Sequence, residues 1–150
     1  MVTALLAAPG LNVNAADRRD GWTALMRAAY GGHSVTITAL LAAPGLDVNA
    51  AARNGRTVLM LAVDGGHVET VTAVLAAPGL DVNAADGAGR TALMLAVDGG
   101  HTEIVTALLA APGLDVNAAN GDGQMALRLA VDGGHAEIVT ALLAAGVASL

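Results

Sequence analysis

The sequence predicts an all-α solenoid, in which helix-turn-helix units stack side by side and β-turn fingers join them. The first observation is a period: His33, His67, His101 and His135 follow one another at intervals of 34 residues, a spacing typical of repeat proteins. The second is that a Gly pair stands before each of these histidines, where helices commonly end. The third is composition, because 55% hydrophobic but only 1% aromatic residues suit short, closely packed helices.

Each unit is predicted to hold two helices. Thr23, Thr57 and Thr91 stand directly before "ALM", "VLM" and "ALM", where a Thr hydroxyl caps the first helix. Met125 takes this place in the last unit and cannot cap, which should cost about 1 kcal/mol. The Gly pair ends the first helix, and "APG" ends the amphipathic second helix everywhere but in the last unit. We therefore expect helix pairs near 23–45, 57–79, 91–113 and 125–146, after a lone second helix at 2–9.

Charge and composition exclude several classes of partner and site. The formal net charge is −6, and nucleic acids or anionic membranes need several basic groups to neutralise phosphates. Cysteine is absent, which excludes disulfides and zinc–thiolate sites. Apolar segments such as "ALLAAPGL" end long before the roughly 18 residues that a membrane span needs, and "MVTALLAAPG" lacks the basic start of a secretory signal. We therefore expect a soluble, intracellular protein located in the cytoplasm.

The recurring "DGGH" raises the question of a metal or acid–base site. Equivalent side chains in stacked repeats lie roughly 8–10 Å apart, whereas a metal holds its ligands at about 2.0–2.6 Å. The segment "DVNAADGAGRTA" also lacks the Gly and Glu that a calcium-binding EF-hand loop needs. No nucleophile is paired with a base, and "GAG" lies outside any βαβ unit. We expect no catalytic residue, cofactor or metal, and therefore no enzyme.

The unit resembles the ankyrin repeat. The matching stretches are "TALMRAAYGGH", "TVLMLAVDGGH", "TALMLAVDGGH" and "MALRLAVDGGH", together with the "LDVNA" tails, and they cover essentially the whole chain. Ala or Val replaces the family's Pro, and Met or Arg replaces its first His. The near-identity of the middle units fits recent duplication or a consensus-like, engineered array. The resemblance implies one domain with a half repeat at 1–16 and repeats at about 17–50, 51–84, 85–118 and 119–150.

The resemblance also implies a concave binding face, formed by the finger tips and the exposed side of each first helix. Candidate protein-binding residues on this face are Arg18, Arg19, Trp22, Met26, Tyr30, Arg53, Arg56, Met60, Asp64, Arg90, Met94, Asp98, Gln124, Arg128 and Asp132. The only Trp and the only Tyr fall in the first full unit, and Trp, Tyr and Arg are enriched in interface hot spots. The alternative is that these two aromatic residues cover the end of the stack.

Other positions also keep two interpretations. The Met row is either an adaptable contact strip or part of the core. The Asp row is either an acidic strip or a solvated face. Arg27 and Arg128, in the end units, are either partial end caps or binding residues. The resemblance further implies that the histidines tie the turn between helices by bonding the backbone. The asparagines of "VNA" are expected to tie the fingers, and the resemblance makes Asn49, Asn83 and Asn117 candidates for hydroxylation in animal cells.

These observations predict a non-catalytic protein–protein interaction module. The alternative is a structural or engineered repeat scaffold, or a fragment, with no dedicated partner. We expect a monomer, with end-to-end stacking as the alternative because apolar residues remain at both ends of the stack.

Overall fold

The computed structural model describes residues 12–146, so the lone helix predicted at 2–9 lies outside the described residues. Within that range the chain forms eight α-helices and no β-strand, which confirms the all-α class. In chain order they are α1 (Ala24–Gly31), α2 (Ser34–Leu41), α3 (Val58–Asp64), α4 (Val68–Leu75), α5 (Ala92–Asp98), α6 (Thr102–Leu109), α7 (Ala126–Asp132) and α8 (Ala136–Ala144).

The helices form two layers. The inner helices α1, α3, α5 and α7 pack against one another in chain order, and the outer helices α2, α4, α6 and α8 form a second row. Each inner helix also packs on the outer helix that follows it. The core lies between the layers and is built from small and branched aliphatic residues, among them Leu59 and Leu93 from the inner row and Ile37 and Leu108 from the outer row. This is the stacked solenoid that the period predicts.

Threonine caps start the inner helices, as predicted. The Thr23 hydroxyl accepts the backbone N–H of Met26 at 3.3 Å, and Thr57 and Thr91 make the equivalent bond. Met125 occupies the same extended N-cap geometry before α7 but makes no side-chain cap bond. The missing cap in the last unit is therefore confirmed.

Glycine and histidine together shape the turn between the two helices of a unit. Gly32 ends α1 in the left-handed region, at φ 73°. The imidazole of His67, from the next unit, packs against Gly32, while the imidazole of His33 packs against Gly31. The ring nitrogen Nε2 of His67 lies 3.2 Å from the carbonyl oxygen of Tyr30. The expected bond to the backbone is present at His67, but it reaches the preceding unit, while the rings pack on the glycines of their own turn and of the preceding one.

Fingers connect the helix pairs and touch one another through the backbone. The N–H groups of Arg53, Gly87 and Gly121 donate to the carbonyl oxygens of Asp20, Asn54 and Ala88 at 2.9 to 3.0 Å. Isolated antiparallel bridges, Ala51 to Thr57 and its two later equivalents, close the base of the second, third and fourth fingers. The fingers are therefore held edge to edge, with their tips exposed.

The asparagines of "VNA" join neighbouring units. Asn49 donates from Nδ2 to the carbonyl oxygen of Gly79 at 2.8 Å, and its Oδ1 accepts the N–H of Asp81 at 2.7 Å. Asn14 and Asn83 make the same pair of bonds one unit earlier and later. The predicted side-chain hydrogen bonds are present, but they tie one unit to the next and do not close the finger in which the asparagine lies.

Candidate functional site

The finger tips are exposed and differ from one unit to the next. All tip positions singled out from the sequence are exposed, namely Arg18, Arg19, Asp20, Arg53, Asn54, Gly87, Ala88, Gly121 and Asp122. Between the first two fingers lies a cavity of about 280 Å³. Its lining residues are Arg19, Asp20, Trp22, Arg53 and Asn54. The structure therefore brings three of the predicted binding residues, Arg19, Trp22 and Arg53, into one depression.

The two aromatic side chains lie beside this cavity and touch each other. The ring centroids of Trp22 and Tyr30 are 5.5 Å apart at an interplanar angle of 67°, an edge-to-face contact. The guanidinium of Arg27 lies 5.7 Å from the centre of the Trp22 ring. Trp22 is half-buried against the core, whereas Tyr30 is 50% exposed at the end of α1. Trp22 therefore contributes to packing, while Tyr30 presents its ring to solvent.

Asp17 holds the first finger and Arg27 in place beside Trp22, and sequence reasoning missed this residue. Its Oδ1 accepts the backbone N–H groups of Asp20 at 2.8 Å and Gly21 at 2.9 Å, and its Oδ2 pairs with Arg27. The hydrogen bond from Asp20, followed by those from Arg27 and Gly21, outweighs desolvation and lowers the pKa of Asp17 to about 2. The signal was available, because an Asp at the start of a turn commonly bonds the backbone a few residues on.

Asp86 has the equivalent role in the third finger, and sequence reasoning did not single it out. Its side chain is only 3% exposed, and its Oδ1 accepts the N–H groups of Ala88 and Arg90, both at 2.9 Å. Arg90 lies 3.2 Å and Arg56 lies 3.6 Å from its Oδ2. Burial by itself raises the pKa of Asp86. The hydrogen bonds and the two guanidinium charges together have a larger, opposite effect, so the pKa is lowered overall.

Arg56 and Arg90 are therefore largely engaged within the stack. Arg56 also pairs with Asp64 on α3, so one guanidinium joins an inner helix to the next finger. Gln124, at the equivalent place in the last unit, is half-buried, and its Oε1 accepts a hydrogen bond from Asn120 at 3.2 Å. These side chains lie at the positions predicted for the binding face, but their polar groups already have partners in the protein.

The contact-strip interpretation of the Met row is wrong. Met26, Met60 and Met94 are each about 1% exposed, so they belong to the core and cannot touch a partner. Each follows a Thr cap by three residues and is covered within the stack, and in the first unit the Met26 sulfur also accepts the Thr23 N–H at 3.4 Å. The side chain therefore folds back along the first turn, into the stack. Arg128 stands at this position in the last unit and is exposed, with its Nε 3.0 Å from Oδ2 of Asp132.

The Asp row lies on the surface as predicted, but its members differ. Asp64 pairs with Arg56, and Asp132 pairs with Arg128. Asp98, at the end of α5, makes no ion pair with any side chain of the described range. The row is therefore not a uniform acidic strip, because two of its three charges are balanced within their own units.

Within residues 12–146, no three His, Asp or Glu side chains come close enough to hold a metal ion. No helix of the same range is long and apolar enough to cross a membrane. What the described geometry offers is an exposed row of finger tips with aromatic and basic side chains concentrated at one end.

Comparison with known sequences assigns the fold to a family. The family model for ankyrin repeats matches residues 1–86 and 75–149. No curated protein sequence matches the chain. Ankyrin repeats generally act as protein–protein interaction modules and are typically non-catalytic. Because the matched segments together span almost the whole chain, and because the structure has the stacked helix pairs of this fold, the protein belongs to the ankyrin-repeat family.

Proposed function

We propose that this chain is a non-enzymatic, cytoplasmic interaction module that binds another protein through its concave face of fingers and inner helices. One observation carries the proposal: the exposed finger tips differ from unit to unit, while a set of leucines that pack in the core repeats. Leu25, Leu59 and Leu93 repeat and are buried, whereas the tips change from two arginines in the first finger to Gly and Ala in the third. Packing of the core explains why these leucines repeat. The exposed tips have no such packing role, so their differences are available for recognition of a partner.

The first full unit supplies most of the recognition chemistry. Half of the Tyr30 surface is exposed to solvent. The edge-to-face contact with Trp22 restricts the motion of the Tyr30 ring. A rigid aromatic side chain loses little conformational entropy on binding, which is why such residues dominate interface energetics. We expect Tyr30, with the exposed surface of Trp22, to be the centre of the interface.

The proposal is tested by comparing what immobilised wild type and variants retain from a cell lysate. A Trp22→Ala/Tyr30→Ala double variant should lose the specifically retained proteins. Because Trp22 also packs on the core, a Tyr30→Ala single variant is measured alongside it, and equal helicity of all proteins is confirmed by circular dichroism. The matched control is Val35→Ala, which removes a largely exposed apolar side chain from α2 in the same unit but in the outer layer.

Two results would count against a concave-face binder. If wild type and Tyr30→Ala retain the same proteins in equal amounts, the interface does not include Tyr30. Loss of retained proteins on Val35→Ala, with Tyr30→Ala unaffected, would place it on the outer helices. A protein identified in this way is then purified, and its affinity for wild type and each variant is measured by titration calorimetry.

The alternative function, a structural array, is favoured by one observation at the far end of the stack. Val131 is 46% exposed, whereas its equivalents Val63 and Val97 are completely buried by the following unit. A Cβ added to Gly134 would have no neighbour of residues 12–146 within 4 Å, although Gly66 and Gly100 are covered by the next unit's histidine. Among the described residues this face is uncovered, and we infer that it could accept one more repeat of the same kind.

Sedimentation analysis separates the two functions. The binder proposal expects a monomer at all concentrations, with Val131→Arg making no difference. Concentration-dependent association that Val131→Arg abolishes would support an array that stacks end to end.

A further inference from the structure

Three arginines at the first two fingers have no ionic partner. Of the seven arginines, Arg27, Arg56, Arg90 and Arg128 each pair with an Asp. The other three, Arg18, Arg19 and Arg53, make no ion pair within residues 12–146, a range that includes every Asp and Glu of the chain. All three are exposed and lie at the tips of fingers one and two. The uncompensated positive charge of the protein is therefore concentrated at one place.

The acidic groups nearby do not neutralise this charge. Asp17 is committed to Arg27 and to the backbone N–H groups of its own finger. Asp20 contributes one negative charge, and its carbonyl oxygen accepts the N–H of Arg53 at 3.0 Å, which holds the two fingers together. The three arginines against one aspartate leave a net charge of about +2 around the cavity.

The charge of the rest of the chain has the opposite sign. Residues 57–150 contain two arginines against seven aspartates and three glutamates, a formal charge of −8. Residues 1–56 contain five arginines against three aspartates, a formal charge of +2. An acidic ligand is therefore attracted to the first two fingers and repelled from the remaining units, so the field selects one end of the stack.

Size and lining indicate what kind of group fits. The cavity between the fingers, about 280 Å³, lies at the lower limit of the roughly 300–1,000 Å³ typical of small-molecule pockets, and it has room for a single side chain. Trp22, Arg19 and Arg53 all line it, so an aromatic ring and two guanidinium groups share one depression. Guanidinium groups match carboxylates in a bidentate geometry, and an aromatic wall suits an apolar side chain. Both requirements are met together by a peptide in which acidic residues flank an apolar one.

We propose that the basic finger surface, defined as Arg18, Arg19, Trp22, Tyr30 and Arg53, binds an acidic peptide segment of the partner protein. Carboxylates of this segment pair with the three arginines, and an apolar side chain between them packs on Trp22 and Tyr30. This proposal rests on the proposed function and specifies the partner's chemistry. A long polyanion such as nucleic acid does not fit, because the −8 charge of the following units repels it.

The single tryptophan lies in the proposed surface, so its fluorescence reports binding directly. The full chain is titrated with a synthetic peptide in which glutamates flank a central leucine. We expect a saturable change in Trp22 emission that weakens as salt is raised to about 1 M, where charges are screened beyond about 3 Å. An otherwise identical peptide with glutamine in place of each glutamate should bind at least about tenfold more weakly.

An Arg19→Gln/Arg53→Gln double variant should lose affinity for the acidic peptide by about tenfold, because two exposed ion pairs are removed. The matched control is Arg128→Gln, which removes an exposed arginine from the last unit and should leave the affinity unchanged. Both variants alter exposed side chains, and circular dichroism confirms that they fold. Inorganic phosphate at matched ionic strength tests whether any anion suffices, and sedimentation tests whether acidic units of a second copy occupy the surface.

Several outcomes would overturn the proposal: no saturable change, equal binding of the glutamate and glutamine peptides, equal affinity of the double variant, phosphate competing as well as the peptide, or self-association through these arginines. These failures are distinct from failure of the proposed function. Suppose that Tyr30→Ala abolishes capture of a partner but the Arg19→Gln/Arg53→Gln variant still captures it. The proposed concave-face interface is then supported, and the proposal that its ligand is an acidic peptide is wrong.

Discussion

The imidazole of His67 lies so close to Gly32 of the preceding unit that a Cβ added to this glycine would come within 2.6 Å of its Nδ1. Gly32 also has φ 73°, a conformation that costs an L-residue about 1 kcal/mol or more. Position 32 therefore requires glycine for two separate reasons, the positive φ and the lack of space for a Cβ. The space is occupied by a histidine ring of the neighbouring unit. This relationship gives a structural reason why Gly-Gly-His repeats as a set.

Gly32→Ala should lower the free energy of unfolding by about 3 kcal/mol, because it combines the positive φ with a clash against the His67 ring. Gly45→Ala is the matched control, since Gly45 has φ 77° but no atom of residues 12–146 lies within 4 Å of an added Cβ. It should cost only about 1 kcal/mol, from the backbone alone. Urea unfolding followed by circular dichroism measures both, and equal losses would show that the histidine ring yields and that packing contributes nothing.

Thr91→Val should destabilise the protein by about 1 kcal/mol. The substitution keeps the shape of the side chain but removes the hydroxyl that accepts the Met94 N–H at 3.4 Å, and a buried N–H is left without its partner. The control is Thr106→Val, whose exposed hydroxyl only donates to a carbonyl within its own helix and whose loss should change stability little. A shift in urea midpoint no larger than that of the control would argue that the cap contributes nothing.

Thr70→Val should have the opposite effect and stabilise the protein by about 1 kcal/mol. The Thr70 hydroxyl is buried and has no hydrogen-bond partner within the described residues. Burying such a group costs free energy, and Ile104 and Ile138 occupy the same place in the next two units. The measurement is again the urea midpoint, with Thr72→Val on the exposed side of the same helix as the control. Destabilisation by Thr70→Val would mean that the hydroxyl has a partner, such as a bound water.

The period and the turn residues were enough to predict the fold. Helix starts at Thr23, Thr57 and Thr91 depend on local backbone chemistry, and such signals are visible in the sequence. The asparagines of "VNA" were assigned a hydrogen-bonding role, but not their partners in the next unit, because partners about 30 residues away are set by stacking. Local sequence patterns predict that a side chain forms hydrogen bonds. The partner of those bonds depends on how the units stack.

The candidate surface was predicted less completely, and the Met row shows why. Exposure of a helical position depends on which side of the helix the next unit covers, and a single helix period does not specify this for a flexible, apolar residue. Met60 is therefore buried, while Arg128 at the same position in the last unit is exposed. Asp86 was missed for a related reason, since its role comes from Arg56 of the preceding unit as much as from its own turn.

The charge of Asp86 should make the stability of the protein depend on pH. Its pKa is lowered in the folded state by backbone hydrogen bonds and by Arg90 and Arg56, despite the opposing effect of burial. A carboxyl with a lowered folded pKa stabilises the protein above its unfolded pKa of about 3.9, and this contribution is lost as pH falls towards the folded pKa. The stabilisation is therefore complete at neutral pH and disappears in acid.

Asp86→Asn should cost about 1 kcal/mol at pH 7 and progressively less below about pH 4, because wild-type Asp86 becomes neutral there as well. Asparagine keeps the turn, since Asn120 makes the same bonds to Asp122 and Gln124 in the next finger, both at 2.9 Å. The variant therefore removes the charge alone. Urea unfolding of both proteins across this pH range measures the difference in stability. A difference that stays constant with pH would show that the ion pairs with Arg56 and Arg90 do not cause it.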